Sequence, residues 1–362
     1  MDQFYLKDNI RAVDAKFEAQ KIAFAPYAFQ AARALRDFGI LDQVSASSDQ
    51  GCTVSEIVAQ KTLNDYAVST LLEFGLSMGL VKLKDEQEPY HYVLGKVGYF
   101  MICDQMTRVN MDFTHDVCYQ GAFSLEESLR SGKPEGLKVF GGWKTIYEGL
   151  ASLPEKVRES WFAFDHFYSD VAFPDALPIV FRRKPKQLFD IGGNTAKWAL
   201  SCFQYDPDVT VTIIDLPGQV ADAQKNIAAR GASTRVKTNV ANVLDPATVF
   251  PKGADAVWMS QFLDCFSLAE IEGILRKIHA SVDTNTAVWV LEPFWDKQRF
   301  TAAAYSLQAT SLYFTTMANG NSKMYRSDEM IAAIERAGFS LQEAVHDLGN
   351  NSYSLLRFAK VR

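Results

Sequence analysis

The residues best able to do chemistry sit where two short apolar runs end. The stretch Asp190-Ile191-Gly192-Gly193-Asn194-Thr195-Ala196 reads as a strand entering a tight turn. Glycines there let the backbone approach a ligand and let the following helix pack closely. The spacing is not GxGxxG, which disfavours a nicotinamide diphosphate, and two glycines alone are a weak signal. Asp215 follows Gly192 by 23 residues and closes a second run. A carboxylate so placed can accept both ribose hydroxyls of an adenosine-containing ligand. It can also N-cap the next helix, because Asp215-Leu216-Pro217 sets a proline near the first helical position. The two roles are compatible. Asn242, after a third run, offers an amide to an adenine edge, and a fourth run ends in Ser260-Gln261-Phe262-Leu263-Asp264-Cys265-Phe266.

The histidines are fewer and more scattered. His166 lies in Trp161-Phe162-Ala163-Phe164-Asp165-His166-Phe167-Tyr168, where it can touch a bound aromatic molecule or simply pack among rings. His115 offers a weaker form of the same choice; His91, His279 and His346 read as structural. No His, Cys and carboxylate cluster has metal-ligand spacing, so no metal is expected. The five cysteines, Cys52, Cys103, Cys118, Cys202 and Cys265, form no CxxC pair, which indicates neither a disulfide framework nor a zinc knuckle.

Positioning these groups requires two kinds of architecture. From about residue 181 strands and helices alternate. Strands are predicted over 187–191, 209–215, 234–239, 254–260 and 286–292, with helices over 195–204, 217–230 and 267–281. Connections of that length suit parallel strands joined by crossover helices. Helices at 299–318 and 327–337 follow, then strands at 341–346 and 353–359, joined through Gly349-Asn350-Asn351 as an antiparallel hairpin. The predicted fold is therefore an α/β, Rossmann-like sheet of seven strands, parallel with an antiparallel carboxyl-terminal hairpin. Residues 1–100 read instead as a mostly helical winged-helix domain. It has a helix at 22–38 closed by Gly39, a capping box at Thr53-Val54-Ser55-Glu56, a helix at 64–78, and two wing strands around Glu86-Gln87-Glu88-Pro89. Residues 101–180 form a helical, aromatic-rich connector, and 181–362 the sheet domain. The border segment Phe181-Arg182-Arg183-Lys184-Pro185-Lys186 reads as a solvated linker, with a phosphate patch as the alternative.

Composition narrows the function classes. The 362 residues carry 37 Lys and Arg against 43 Asp and Glu, a formal net charge of −6. A mildly acidic chain does not advertise nucleic acid or anionic lipid as a partner. The 64–78 helix, which would be the DNA reader of a winged helix, has no Lys or Arg and presents Leu71, Leu72, Phe74, Leu76 and Met78. No run reaches the roughly 18 to 20 apolar residues of a membrane span. A cytoplasmic protein that binds neither membrane nor nucleic acid is expected.

These elements resemble the class I S-adenosylmethionine-dependent small-molecule O-methyltransferases, the family of plant caffeate-type and bacterial polyketide enzymes. Leu188-Phe189-Asp190-Ile191-Gly192-Gly193 resembles its first cofactor motif and Ile213-Ile214-Asp215-Leu216-Pro217 its ribose-binding motif. The amino-terminal segment resembles its dimerising winged-helix domain, and Ala337-Gly338-Phe339 with the final hairpin its carboxyl end. The resemblance covers nearly the whole chain. It implies a homodimer and a site for S-adenosylmethionine made by Asp190, Gly192, Gly193, Asp215, Leu216, Asn242, Val243, Ser260 and Gln261. It also implies an acceptor pocket to which Phe162, His166, Tyr313 and Met317 contribute. Asn194 and Ala196 stand where glycines are usual, Asn242 and Val243 where an acidic–apolar pair is usual, and Ser260 where a Lys is common.

The catalytic position departs furthest. The family's general base is a His in a Leu-His-Asp-Trp context; here the matching stretch is Leu263-Asp264-Cys265-Phe266, and Asp264 takes the histidine's place. Two acidic residues that flank that histidine in plant members are matched by Met324 or Tyr325 and by Leu356. Alignment of donor and acceptor supplies much of the rate of an in-line methyl transfer, yet a phenol still benefits from a base. A solvent-exposed carboxylate near 3.9 is a weak base, whereas a buried one is stronger. The expected activity is methylation of an oxygen on a small aromatic or quinone-like acceptor with Asp264 as base. The alternatives are a family member that binds the cofactor without methylating, in which Asp264 merely flanks a helix, and a winged-helix ligand-sensing regulator.

Overall fold

The computed structural model describes residues 5–349 and 352–361. The chain forms two compact units, Leu6–Asp112 and a larger one that begins at Phe113 and also holds Tyr5. No helix among the described residues is long and apolar enough to cross a membrane.

In the smaller unit, Leu35, Ile40, Leu41, Val44, Ile57, Val68, Leu72 and Val81 are fully buried and form one core. The single helix expected over 22–38 is two, Ala12–Ala23 and Ala25–Asp37. The helix pattern breaks at Phe24, and Pro26 sits in the first turn of the second helix, the one place where its missing N–H costs nothing. Gly39 closes that helix at a φ of +67°, the left-handed conformation glycine tolerates. The capping box forms: the Glu56 N–H donates to Thr53 Oγ1 at 3.3 Å, and the Thr53 N–H donates to Glu56 Oε2 at 2.8 Å. Helix Asp65–Ser77 follows its cap Asn64, and β1 (Val81–Leu83) pairs antiparallel with β2 (Tyr92–Leu94) as the wing.

The larger unit is built on seven strands: β3 (Gln187–Ile191), β4 (Thr210–Asp215), β5 (Val236–Val240), β6 (Ala256–Ser260), β7 (Ala287–Glu292), β8 (Phe339–Leu348) and β9 (Tyr353–Lys360). Their order is β5-β4-β3-β6-β7-β9-β8, with β3 to β7 parallel and β9 antiparallel to both neighbours. Side chains alternate between two cores. Leu188, Val211, Ile213, Trp258 and Trp289 face helices Phe173–Phe181, Lys197–Tyr205 and Pro217–Ala229. Phe189, Ile191, Ile214, Met259 and Val290 face helices Leu268–Ser281 and Ser327–Arg336. β8 is longer than the predicted 341–346 because two register shifts, at Leu341/Glu343 and Val345/Leu348, let pairing continue past an interrupted alternation. The expected turn falls partly on Asn350 and Asn351, outside the described residues. The 299–318 helix is α-helical over Thr301–Tyr313 and then widens to a π-helical turn over Phe314–Ala318.

Successive connections place β4 and β5 on one side of β3 and β6 and β7 on the other. The chain thus reverses direction beside β3, where open sheets of this kind bind ligands. One wall of that crevice rests on helix Leu268–Ser281. Its cap is reciprocal: the Glu270 N–H donates to Ser267 Oγ at 3.3 Å and the Ser267 N–H donates to Glu270 Oε2 at 2.8 Å. Replacing Ser267 by Ala is expected to cost about 1 kcal/mol of stability, read as a lower urea midpoint. An unchanged midpoint would show that the box carries no weight.

Candidate active site

The turn after β3 has the shape its sequence demands. Gly192 adopts a φ of +76°, and a Cβ there would lie 2.2 Å from the Phe262 ring; one at Gly193 would lie 2.7 Å from Asp190 Oδ2. Asn194 and Ala196, the two departures from glycine, take positive φ of 45° and 71°. Asn enters that region readily through its short polar side chain, whereas Ala196 does so at a steric cost offset by full burial. The Asn194 N–H donates to Asp215 Oδ2 at 2.9 Å and the Leu216 N–H to Asp215 Oδ1 at 2.7 Å. Asp215 therefore joins the ends of β3 and β4, and the carboxylate keeps lone pairs for a ligand because each oxygen has two.

A cavity of about 450 Å³ opens beside this clamp. Of the residues singled out from sequence, Gly192, Asp215, Leu216, Asn242, Val243, Gln261, Asp264 and Tyr313 line it. Asn242 Oδ1 accepts from the Leu244 N–H at 3.0 Å. Gln261 has a positive φ of 44° and a buried Oε1 without a hydrogen-bond partner. Six of the selected residues are not in the lining. Asp190 lies under the turn, Gly193 lies within it and faces Asp190, and Ser260 buries an unpartnered hydroxyl at the end of β6. Met317 is fully buried against Gly121, where any side chain would strike its sulfur. Phe162 and His166 stack on each other with centroids 5.9 Å apart, and His166 Nδ1 lies 3.8 Å from Asp170 Oδ1. Leu356 is buried inside the sheet as part of its core, so it holds no position at the cavity.

Asp264 is 4% exposed, on the short turn Leu263–Cys265. Burial pushes its carboxyl up to about 7, the Cys265 thiol hydrogen bond opposes this, and the Asp165 charge adds to it. The turn is fixed from below by Glu292, whose Oε1 accepts the N–H groups of Phe262 at 3.2 Å and Leu263 at 3.0 Å. Glu292 is 1% exposed, and burial raises its carboxyl well above the usual range. The acid beneath the Asp264 turn thus comes from the end of β7, a position sequence reading passed over because a strand-end Glu looks like an ordinary solvated terminus. Two more residues were missed. Trp161 donates its indole N–H to Tyr313 Oη at 2.8 Å, and Asp165 accepts from Asn194 Nδ2 at 3.2 Å. Trp161, Phe164, Asp165 and Tyr168 recur at helical spacing along Glu155–Ser169, and that periodicity was the available signal. Trp161, Phe164, Tyr147 and Phe314 give the cavity its aromatic wall; Cys265, Asn319 and Met324 also line it, and Asn319 Nδ2 donates to the Cys265 carbonyl at 2.6 Å.

A parallel sheet with an antiparallel terminal hairpin, a clamped glycine turn and a cavity at the switch point define a Rossmann-like α/β fold with a candidate ligand site. Residues 123–340 match the O-methyltransferase domain and residues 16–88 a Dimerisation2-like domain. The chain belongs to the S-adenosylmethionine-dependent O-methyltransferase family. It is similar to L-tyrosine C(3)-methyltransferase of Streptomyces lavendulae, at 23% identity over 88% of this chain and 85% of that one. Among solved structures it resembles the S-adenosylmethionine-dependent methyltransferase SibL, with a TM-score of 0.70 and 24% identity over 94% and 98% of the two chains. It also resembles NcsB1, an O-methyltransferase from neocarzinostatin biosynthesis solved with S-adenosyl-L-homocysteine and 1,4-dihydroxy-2-naphthoic acid. There the TM-score is 0.67 and the identity 18%, over 92% and 96% of the chains.

Asp190 supplies a test of the buried charges. Burial, then the nearby Asp215 charge, raises it from 3.8 to about 8, and its Oδ2 has no partner. A raised acid keeps its proton in the folded state after the unfolded chain has lost it. Stability from this group is therefore full below about pH 4 and is lost as pH rises through about 8. Asp190→Asn is expected to flatten the fall of the melting temperature across that window. A slope identical to the wild type would show that Asp190 does not titrate with folding.

Proposed function

We propose that the chain transfers a methyl group from S-adenosylmethionine to a phenolic oxygen of a small aromatic or quinone-like acceptor, with Asp264 receiving the acceptor's proton. The observation that carries this reading is the burial of Asp264 in the wall of an aromatic-lined cavity beside the Asp215 clamp. The residues fit the cofactor. Asp215 has free lone pairs for ribose hydroxyls, Leu216, Asn242 and Val243 flank the base side, and the orphaned Gln261 Oε1 supplies a buried acceptor. Gly192 and Gly193 keep the turn tight, with Asp190 beneath it, and Ser260 acts from behind the wall. When bound, the cofactor supplies an electrophilic methyl group on a sulfonium.

This chain's residues do the rest. Tyr147, Trp161, Phe164, Tyr313 and Phe314 exclude water and sandwich a flat ring. Burial brings the Asp264 carboxyl to about 7, close to the histidine value of about 6.5, so the carboxylate can serve where the family has an imidazole. Phe162, His166 and Met317 support the pocket from a second layer. A second reading is favoured by the likeness to a tyrosine C(3)-methyltransferase. A phenolate is nucleophilic at the adjacent ring carbon as well as at oxygen, and the same proton acceptor serves both.

The Dimerisation2-like match and the exposed Phe17, Ile22, Phe24 and Tyr27 on and between the first two helices support a homodimer formed through the amino-terminal unit. Five free cysteines fit the reducing cytoplasm.

The test is incubation with S-adenosylmethionine and two probe phenols, L-tyrosine and 1,4-dihydroxy-2-naphthoic acid. Mass spectrometry counts the methyl groups and NMR locates them. Methylation at oxygen is expected, and Asp264→Asn should lower kcat by about 100-fold or more with S-adenosylhomocysteine affinity unchanged. Ring-carbon product would select the second reading. An unaltered kcat in the variant would remove Asp264 as base.

A further inference from the structure

Asn194 makes two hydrogen bonds that reach in different directions. Its backbone N–H donates to Asp215 Oδ2 at 2.9 Å, and its side-chain Nδ2 donates to Asp165 Oδ2 at 3.2 Å. Asp215 ends β4, whereas Asp165 belongs to helix Glu155–Ser169. All three residues line the cavity. Asn194 thus stands between the carboxylate clamp beside the glycine turn and the helix that supplies part of the aromatic wall. A glycine, the usual residue at this position, could make the first bond but not the second.

The helix carries what happens at Asp165 to the wall. Trp161 lies one turn before Asp165 on the same face and donates its indole N–H to Tyr313 Oη at 2.8 Å. Phe164 directly precedes Asp165, and Trp161, Phe164 and Tyr313 all line the cavity. A hydrogen-bonded helix moves as one element, so fixing it at Asp165 fixes these rings. A second tie exists: Lys197 Nζ lies 3.4 Å from Asp170 Oδ2, just past the helix end. Those side chains are 52% and 30% exposed, and ion pairs open to solvent hold position weakly. The Asn194 bond is the more sheltered of the two.

The conformation of Asn194 makes its bond to Asp165 conditional. Its φ of +45° is one that residues other than glycine enter at a cost, and the bond to Asp215 helps to hold it there. Ribose hydroxyls donating to the remaining lone pairs of Asp215 immobilise that carboxylate. The acceptor of the Asn194 N–H is then fixed, and with it the point from which Nδ2 reaches Asp165. A wall already ordered by the first ligand need not be ordered again by the second.

We propose that Asn194 couples the two halves of the site, relaying cofactor occupancy at Asp215 through Asp165 to the helix that bears Trp161 and Phe164. The acceptor then meets a wall that is set once the cofactor is in place. The proposal rests on the reading of Asp215 as the ribose-binding carboxylate. Asn194 is a positioning residue and handles none of the reacting atoms.

The experiment is amide hydrogen exchange read by mass spectrometry, with and without saturating S-adenosylhomocysteine, on two segments: the turn over 190–196 and helix Glu155–Ser169. In wild type the ligand is expected to slow exchange in both, in the helix by about fivefold or more. Asn194→Gly accepts the positive φ and keeps the N–H bond to Asp215, so the turn should still be protected while the helix no longer responds. Asp165→Leu, which removes the acceptor at similar size, should do the same. Asp165→Asn keeps an acceptor oxygen and should behave as wild type, as should Lys197→Met, which removes the exposed tie. Melting temperatures of the unliganded proteins report folding; should Asn194→Gly not fold, Asp165→Leu carries the test. Helix protection in Asn194→Gly or Asp165→Leu equal to wild type would overturn the proposal, and so would a wild-type helix that ignores the ligand while the turn responds. If neither segment responds and calorimetry finds no binding, the cofactor reading itself fails and takes the coupling with it.

Discussion

The carboxylate of Asp215 accepts the backbone amides of Asn194 and Leu216, and the geometry of the whole ligand-binding end follows from those two hydrogen bonds. They tie the turn after β3 to the start of the next helix, so two parallel strands end at a fixed separation. With the turn held, Asn194 can tolerate its positive φ and present its side-chain amide to Asp165 on a helix 29 residues earlier. One acid thereby links the sheet to the aromatic helix that walls the cavity. Replacing usual glycines by Asn and Ala is tolerated because the clamp, together with the buried Ala196 methyl, supplies the constraint that backbone freedom would otherwise leave open.

The second constraint is the cost of burying charge. Asp190, Asp264 and Glu292 are nearly inaccessible, and no Lys or Arg pairs with any of them among the described residues. Groups so placed shift toward their neutral forms rather than remain as unpaired charges. Glu292 nonetheless receives two amides, which oppose its neutralisation, and holds the turn that carries Asp264. The same physics turns Asp264 from a weak base into one comparable with histidine. In the proposed reaction, that shift is what would let the Asp264 carboxylate stand where the family has an imidazole.

Much of this was legible in the sequence because it rests on local rules. Strand periodicity, the capping box at Thr53, and the 23-residue interval from Gly192 to Asp215 each have a mechanism within a short window. The break at Phe24 was missed because Ile22, Ala23 and Ala25 on either side of it favour a continuous helix, and only Pro26 marks the join. The cavity lining was harder. Met317 and Tyr313 lie four apart on one helix, yet a change to π-helical winding between them sends Met317 to Gly121 and leaves Tyr313 on the wall. Asp165 and His166 are neighbours, and one turn angle decides that the acid, not the imidazole, reaches the cavity. Such choices depend on tertiary packing and leave no trace in spacing.

The claim on which everything else depends is that the clamped turn binds the cofactor despite Asn194 and Ala196. Calorimetric titration of cofactor-stripped protein with S-adenosylhomocysteine tests it directly. The account requires saturable binding at one ligand per chain, weakened when Asp215 is replaced by Ala. Absence of binding at high ligand concentration, in protein whose melting transition shows it to be folded, would contradict it and leave a scaffold that has kept the fold without the cofactor.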